Sequence, residues 1–171
     1  MKAADLEMPT TRLRLKAGTA QLLDAAVHDR RRLERLLGAA VPQDWPPAEN
    51  LGFLRSVHEA VLRDPDLAGW GPWLMVLAEE PALVGDVGFK GKPDAEGVVE
   101  IGYGVVPAYQ RRGLATEAVV GLIAWAFSHG VRAVIAETEE SNAASGRVLR
   151  KAGLRQVGQI DRMLNWRVEK D

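Results

Sequence analysis

The chain has 171 residues, a length typical of one domain, and its 22 Lys and Arg against 23 Asp and Glu give a formal net charge of −1. This balance argues against a protein that binds nucleic acid mainly by neutralising phosphates, so no nucleic-acid partner is expected. The chain has no cysteine, which excludes disulfides, thiolate metal sites and a cysteine nucleophile, and its three histidines lack metal-ligand spacing, so no metal is expected.

The first half of the chain predicts one strand and two helices. Apolar and charged side chains alternate over 11–16, which is typical of a half-buried strand. An apolar stripe predicts a helix over 19–37, and the charge run at 29–32 is interpreted as its solvated face. A proline-rich loop follows at 41–47, and a second helix is predicted over 48–63.

The second half is richer in strands. Segments 73–78, 83–90 and 98–106 are joined by short turns, which predicts an antiparallel meander. The remaining predicted elements are a helix over 113–129, a strand over 133–138, a helix over 142–152 and a hairpin of strands at 154–160 and 162–168. We therefore predict a single α/β domain of the α+β type over 1–171. Its one mixed, mostly antiparallel sheet has about seven strands, flanked by about four helices.

The longest apolar run, at 119–127, is too short to span a bilayer, and the N-terminal residues have no apolar stretch behind their charges. We therefore expect a cytoplasmic protein with no membrane partner.

The turn at 105–116, with sequence VVPAYQRRGLAT, joins a strand to a strongly apolar helix. Unpaired amides and the helix dipole make such a helix start an anion site, and Gly113 lets an anion approach the backbone. Arg111 and Arg112 oppose the dipole, at a cost of about a few tenths of a kcal/mol each that a bound phosphate reverses. The chain lacks both GxxxxGK[ST] and a GxGxxG after a first strand, so neither a P-loop nor a Rossmann site explains the turn.

Two segments resemble the GNAT N-acetyltransferase family. Residues 110–115, QRRGLA, resemble its (Q/R)xxGx(G/A) signature, whose amides hold the pyrophosphate of acetyl-coenzyme A, and residues 142–154 resemble its Asn-x-x-(Ala/Ser)…Gly-Phe segment. The resemblance spans about 10–168 and is closest to the group that includes ribosomal-protein N-terminal acetyltransferases. It implies the GNAT fold, acetyl-CoA as cosubstrate and an amine as acceptor. The implied coenzyme-binding residues are Val105, Val106, Gln110, Arg111, Arg112, Gly113, Leu114, Ala115, Thr116, Asn142 and Ser145.

The resemblance also assigns roles to individual groups. The backbone amide of Val105 or Val106 polarises the thioester carbonyl, and Asn142 borders the coenzyme while it also caps its helix. Many relatives carry a tyrosine seven residues after the asparagine that is proposed to protonate the leaving thiolate, and Leu149 stands there in this chain. Ser145 is the candidate that replaces it. The alternative is a serine hydroxyl bonded to its own helix backbone.

Glu100 is the candidate general base. It shares one face of its strand with Gly102 and Gly104, which leave the open space that a substrate channel needs. A carboxylate inside an apolar strand is costly without a purpose, and several family members place their base here. The alternative is an edge-strand glutamate in water. Trp45 is a candidate lining residue of the acceptor pocket.

The sequence thus predicts an acetyl-CoA-dependent N-acetyltransferase that moves an acetyl group directly to a primary amine in a ternary complex. No cysteine or serine–histidine signature favours a covalent acyl-enzyme. An inert acyl-CoA-binding sensor or docking module is the alternative that Leu149 keeps open, and hydrolysis without an acceptor is a weaker third. The acceptor stays open among peptide α-amines, polyamines, aminoglycosides and amino acids, and the protein is a monomer or a homodimer.

Overall fold

The computed structural model describes residues 6–171, so the first five residues of the predicted domain lie outside the described part. The strands are β1 (Glu7–Pro9), β2 (Leu13–Ala17), β3 (Pro72–Leu77), β4 (Leu83–Phe89), β5 (Val98–Val105), β6 (Ala133–Glu139), β7 (Arg155–Ile160) and β8 (Met163–Glu169). The helices are α1 (Ala20–His28), α2 (Arg30–Leu37), α3 (Leu51–Arg63), α4 (Leu114–Ser128) and α5 (Ala143–Lys151). Within this part of the chain, no helix is both long enough and apolar enough to cross a membrane.

The eight strands form one sheet in the order β1-β2-β3-β4-β5-β6-β8-β7. Every neighbouring pair is antiparallel except β5 and β6, which are parallel. The predicted mixed sheet, the β3-β4-β5 meander and the final hairpin are therefore confirmed. The count exceeds the prediction by one strand, because β1 adds a three-residue edge that is too short to show alternation.

Each face of the sheet carries its own core. On one face α4 and α5 pack against β2 to β6, and on the other α1, α2 and α3 cover β3 and β4. Buried residues of the first core include Leu15, Trp73, Val87, Ile101, Val119, Leu122 and Leu149. Buried residues of the second core include Leu23, Leu33, Leu37, Trp45, Leu54, Leu74 and Val76. The α4 helix is apolar nearly all round because it lies across the centre of the sheet.

The predicted helix over 19–37 is wrong in its continuity, because it breaks at Asp29. This residue is extended (φ −149°), ends α1, and caps α2 by accepting a hydrogen bond from the Arg32 amide at 3.0 Å. The run at 29–32 is likewise not simply a solvated face. Arg30 donates to the carbonyl oxygens of Val41, Pro42 and Trp45, and so fixes the proline-rich loop against α2.

Strands β5 and β6 separate soon after they begin. They pair only over Val98–Ala133, Val99–Val134 and Glu100–Ile135 in the described part of the chain. Beyond Glu100, β5 continues to Val105 alongside β4 alone, while β6 continues alongside β8. The sheet therefore opens into a V-shaped gap with its vertex at Glu100, and the gap positions the candidate site.

Candidate active site

The free edge of β5 lines this gap with backbone groups. The Val106 amide donates to the Val84 carbonyl oxygen at 2.9 Å, so its hydrogen lies on the β4 side. Since successive amides of a strand alternate in direction, the Val105 amide points into the gap. Of the two amides predicted to polarise a carbonyl, the Val106 amide is thus already paired within the sheet, and the Val105 amide is the one available to a ligand. The Val105 carbonyl oxygen accepts from Gln110 Nε2 at 2.9 Å, which fixes the following turn to the end of the strand.

The predicted anion-binding turn has the backbone shape that this function needs. Arg111 (φ 62°) and Gly113 (φ 75°) are both left-handed, and Gly113 is the N-cap of α4. The amides of Leu114, Ala115 and Thr116 form the first turn of the helix, where no intrahelical acceptor exists. Left-handed residues within such a turn direct successive N–H groups toward one concave side. This concavity opens at the end of β5, beside the V-shaped gap.

A third arginine, Arg12, lies just before β2 and contacts the turn. Arg12 Nε donates to Glu117 Oε2 at 2.8 Å, and Arg12 Nη1 donates to the Arg112 carbonyl oxygen at 2.7 Å. A Cβ built on Gly113 would lie 3.4 Å from Arg12 Nη2, so the guanidinium borders the turn. The sequence analysis missed Arg12, because nothing in the local sequence shows that a residue 100 positions earlier approaches the start of α4.

Glu117 holds Arg12 in this place. Partial burial raises the pKa of Glu117, but hydrogen bonds from Thr10, from the Arg12 amide and from the Arg12 side chain outweigh it and hold the pKa below its ordinary value. The carboxylate therefore remains ionised and paired with Arg12 at neutral pH. Because Arg12 already compensates the charge of Glu117, this carboxylate does not add a free negative charge to the anion site.

The two arginines of the turn itself differ. Arg112 lies over the Tyr109 ring, 5.2 Å from its centroid, and donates to the Ala108 carbonyl oxygen at 3.3 Å. Arg111 is exposed, and its guanidinium has no hydrogen-bond or ion-pair partner among residues 6–171. Arg111 is therefore the cation of the turn that is free to contact an arriving phosphate.

The second predicted motif places a hydroxyl pair at the gap. Asn142 Oδ1 accepts from the Ser145 amide at 3.1 Å, so Asn142 caps α5. The Ser145 hydroxyl lies 2.7 Å from the Tyr103 hydroxyl, which also donates to the Ser145 carbonyl oxygen at 3.0 Å. Its partner is thus a side chain of β5 and not its own helix backbone. Leu149, where many relatives have tyrosine, is fully buried in the core.

Tyr103 is a second residue that the sequence analysis missed. Burial raises the pKa of Tyr103 above its ordinary value, although the hydrogen bond from Ser145 works in the opposite direction. The phenol is therefore protonated at neutral pH and able to donate. The sequence contained a signal for Tyr103, because alternation places it on the face of β5 that α4 and α5 cover, opposite the face of Glu100. A tyrosine in a strand, however, is most often part of the core.

The opposite face of β5 carries the predicted base. Glu100 is partly exposed and forms an ion pair with Lys90. A Cβ built on Gly102 or Gly104 would meet no atom within 4 Å, so open space lies over this part of the strand as predicted. Glu100 therefore lies at the vertex end of an open, glycine-floored channel, but with a lysine as its partner.

A second carboxylate, which the sequence analysis missed, lies beside this channel on β4. Asp86 pairs in register with Gly104, and Asp86 Oδ2 accepts from Trp45 Nε1 at 2.9 Å. Burial raises the pKa of Asp86, although the Trp45 hydrogen bond lowers it in part. Trp45 itself is buried in the second core and reaches the channel through this hydrogen bond. The signal that singled out Glu100, a carboxylate among apolar residues and glycines, was equally present in the sequence of β4, LVGDVGF.

Comparison with known proteins agrees with this fold. A family model described as an acetyltransferase (GNAT) domain matches residues 12–155. The chain is 31% identical over 147 residues to YjdG, an uncharacterized N-acetyltransferase of Bacillus subtilis, a match that covers 85% of this chain and 88% of that protein. A ribosomal-protein-S5-alanine acetyltransferase from Vibrio fischeri is similar in structure, with a TM-score of 0.68 at 15% identity over 96% of this chain and 97% of that one. RimL, a ribosomal L7/L12 alpha-N-protein acetyltransferase solved with coenzyme A, has a TM-score of 0.68 at 17% identity over 95% of this chain and 97% of that one.

Proposed function

Since the chain belongs to the GNAT acetyltransferase family, we propose that it transfers an acetyl group from acetyl-CoA directly to a primary amine within a ternary complex. The observation that carries this proposal is the V-shaped gap between β5 and β6. An anion-binding turn lies at its end, a hydroxyl pair lies on one face of β5, and an open channel with carboxylates lies on the other. Two substrates of opposite charge would therefore meet at one strand.

The coenzyme would bind through its phosphates first. The amides from Arg111 to Thr116 surround the pyrophosphate, and Arg111 adds a charge-assisted contact. The pantetheine arm, which contains amides of its own, pairs along the free edge of β5 as an added strand would. The Val105 amide then donates to the thioester carbonyl oxygen, where negative charge develops as the amine attacks.

The leaving thiolate would take its proton from Ser145. A serine hydroxyl is a poor acid in isolation, but Tyr103 is within 2.7 Å and can replace the proton that Ser145 gives away. Balance is kept, because the nitrogen that gains the acetyl group releases a proton as the thiol is formed. The pair would thus do the work of the tyrosine that Leu149 replaces.

The amine must reach the carbonyl in its neutral form. At pH 7.4 an α-amine with a pKa of about 7.7–8 is about a quarter neutral, whereas a lysine amine is about a thousandth neutral. We therefore infer that a peptide or protein α-amine is the acceptor that this site acetylates with least assistance. The resemblance assigns the removal of the surplus proton to Glu100, and this role remains a prediction.

The test is the release of free thiol from acetyl-CoA by the purified full chain, with and without a panel of amines. The panel contains peptide amides with free α-amines, polyamines, aminoglycosides and amino acids. Release that requires an amine, together with a product heavier by one acetyl group, supports the proposal. Thiol release without an amine indicates a hydrolase, and calorimetric binding of acetyl-CoA without any release indicates a binding module, so either result contradicts acetyl transfer.

A further inference from the structure

We propose that Asp86 binds the ammonium group of the acceptor and takes its proton, the role that the resemblance assigns to Glu100. This inference rests on the proposed acetyl transfer and names the residue that receives the amine. Asp86 belongs to β4, not to the strand whose sequence resembles the family pattern.

The strand register places Asp86 at the level of the reaction. Asp86 is directly opposite Gly104, and the next pair is Gly85 with Val105, whose amide points into the gap. Directly opposite residues have Cα atoms about 5 Å apart. Glu100 lies four residues before Gly104 along β5, a distance of about 13 Å at the rise of a strand. The Asp86 carboxylate is thus the nearer of the two to the carbonyl that Val105 would hold.

Gly85 fixes this register closely. A Cβ on Gly85 would lie 2.1 Å from the Gly104 carbonyl oxygen, so β4 and β5 approach here to a distance that a side chain would prevent. Gly104 has no side chain, and nothing lies within 4 Å of the place where its Cβ would be. The space beside Asp86 is therefore open toward the free edge of β5.

One oxygen of Asp86 is fixed and the other is available. Trp45 Nε1 donates to Oδ2, and no hydrogen bond to Oδ1 is formed by residues 6–171. Asp86 is only partly exposed, so solvent reaches the carboxylate incompletely. An oriented carboxylate with one free oxygen is suited to accept an N–H from an ammonium group.

Among residues 6–171, no cation forms an ion pair with Asp86. Among the charged groups on the elements that share this face, Lys16 pairs with Glu7 at 3.6 Å, Lys90 pairs with Glu100, and Arg30 donates to carbonyl oxygens of the loop before α3. Burial raises the pKa of Asp86, since its charged form lacks both full hydration and an ionic partner. A cationic acceptor would supply the missing partner, and a raised pKa makes the carboxylate a stronger base.

The step is balanced as follows. The ammonium nitrogen transfers one proton to Asp86 Oδ1, and its freed electron pair forms the N–C bond with the thioester carbonyl carbon. The C–S bond breaks and its electron pair leaves with sulfur. The thiolate gains a proton from Ser145, the second proton that nitrogen loses as the amide forms returns to the Ser145–Tyr103 pair through solvent, and the proton on Asp86 passes to solvent when the product leaves.

The test compares Asp86→Asn with Glu100→Gln, which alters the other candidate base. The control is Glu96→Gln, which alters an exposed carboxylate in the turn between β4 and β5. Asparagine keeps an oxygen that accepts from Trp45 but removes the base, so we expect kcat/KM for the amines accepted by the wild type to fall by about 10²-fold or more. Glu100→Gln should lower kcat/KM less than Asp86→Asn does, and Glu96→Gln should keep the wild-type value. All three variants should bind acetyl-CoA with unchanged affinity in calorimetry, because none of the three residues contacts the phosphate turn.

Full transfer by folded Asp86→Asn overturns the inference, and loss of transfer in Glu100→Gln alone returns the role to Glu100. If circular dichroism shows that Asp86→Asn is unfolded, Trp45→Phe is tested in its place. This substitution removes the donor that orients the Asp86 carboxylate but leaves the carboxylate charged. That variant should show a raised KM for the amine, and unchanged amine kinetics overturn the inference as well. A wild type without amine-dependent thiol release contradicts acetyl transfer itself, a result distinct from any of these.

Discussion

The two faces of β5 differ in the sign of their charge. On the side of the phosphate turn, Arg12, Arg111 and Arg112 accompany the unpaired amides at the start of α4. On the side of the channel, Asp86 and Glu100 stand over a floor of glycine. A pyrophosphate and an ammonium group would therefore be drawn to different faces of one strand, and the acetyl group would pass at its free edge.

The two faces also differ in their construction. The phosphate turn is one continuous segment in which backbone amides would do the binding, so this capacity should survive most side-chain changes. The channel is assembled from three separate parts of the chain, since Asp86, Glu100 and Trp45 meet only through strand register and loop packing. Under the proposed function, a shared cosubstrate would be bound by local backbone and a particular acceptor by side chains that the fold brings together.

After Asp86, the largest effect on turnover is expected at the hydroxyl pair of Ser145 and Tyr103. Ser145→Ala should lower kcat by about 10²-fold and leave acetyl-CoA affinity nearly unchanged, because the hydroxyl acts on the leaving thiolate. Tyr103→Phe should lower kcat less, by about tenfold, since Ser145 remains. Stopped-flow measurement of thiol release checks both.

The matched control is Ser141→Ala, which alters an exposed serine just before the same helix. It should turn over at the wild-type rate. Full turnover by Ser145→Ala would show that water protonates the thiolate.

The difference in construction explains what could be predicted. Strand and helix positions followed from alternation and apolar stripes, which are local, and the boundaries agree within one to three residues for most elements. The break at Asp29 was missed because the apolar stripe continues through it, from Leu23 in α1 to Leu33 in α2. A cap residue that ends one helix and begins the next leaves little trace in periodicity.

The phosphate turn gives the next effect. Gly113→Val should weaken acetyl-CoA binding by about tenfold, or about 1.4 kcal/mol, because the side chain occupies the space beside the amides and strains a left-handed residue. Isothermal titration calorimetry measures it. Gly130→Val is the control, since Gly130 is also left-handed (φ 87°) and has open space around its Cβ position.

If Gly113→Val and Gly130→Val lose acetyl-CoA affinity equally, backbone strain alone, and not a phosphate site, explains the loss at Gly113. This control is needed because a valine is strained at either position.

The same contrast appears in the site residues. Gln110 to Thr116 could be proposed from the sequence because the predicted phosphate contacts lie in one contiguous segment. Arg12 and Asp86 were not, since the first reaches the turn from β2's end of the sheet and the second faces the channel only because β4 pairs with β5 in one particular register. Sequence alone does not give strand order or register across such separations.

A smaller effect is expected at Arg12. Arg12→Leu removes the ion pair with Glu117 and a positive charge beside Gly113, so acetyl-CoA affinity should fall by about three- to fivefold at low salt and less at high salt. Arg14→Leu, which alters the second residue of β2, is the control and should bind normally. A loss that is independent of salt would contradict an electrostatic role for Arg12.

The smallest effect is on stability, and it tests whether Asp86 is kept for function. Burial raises its folded-state pKa above the ordinary value near 3.8, so folding disfavours the charged form. Its unfavourable contribution is absent at pH values below 3.8 and grows as the pH rises through the interval up to the raised pKa. Asp86→Asn lacks this term, so at pH 7 it should melt above the wild type, and each kcal/mol of difference corresponds to about 2–4 °C in a domain of this size. Thermal melts of both proteins between pH 4 and pH 8 isolate the term, because other titrating groups are common to both. A difference in melting temperature that does not shrink toward pH 4 would mean that the charge of Asp86 does not destabilise the fold. There would then be no thermodynamic reason to expect a cation beside Asp86.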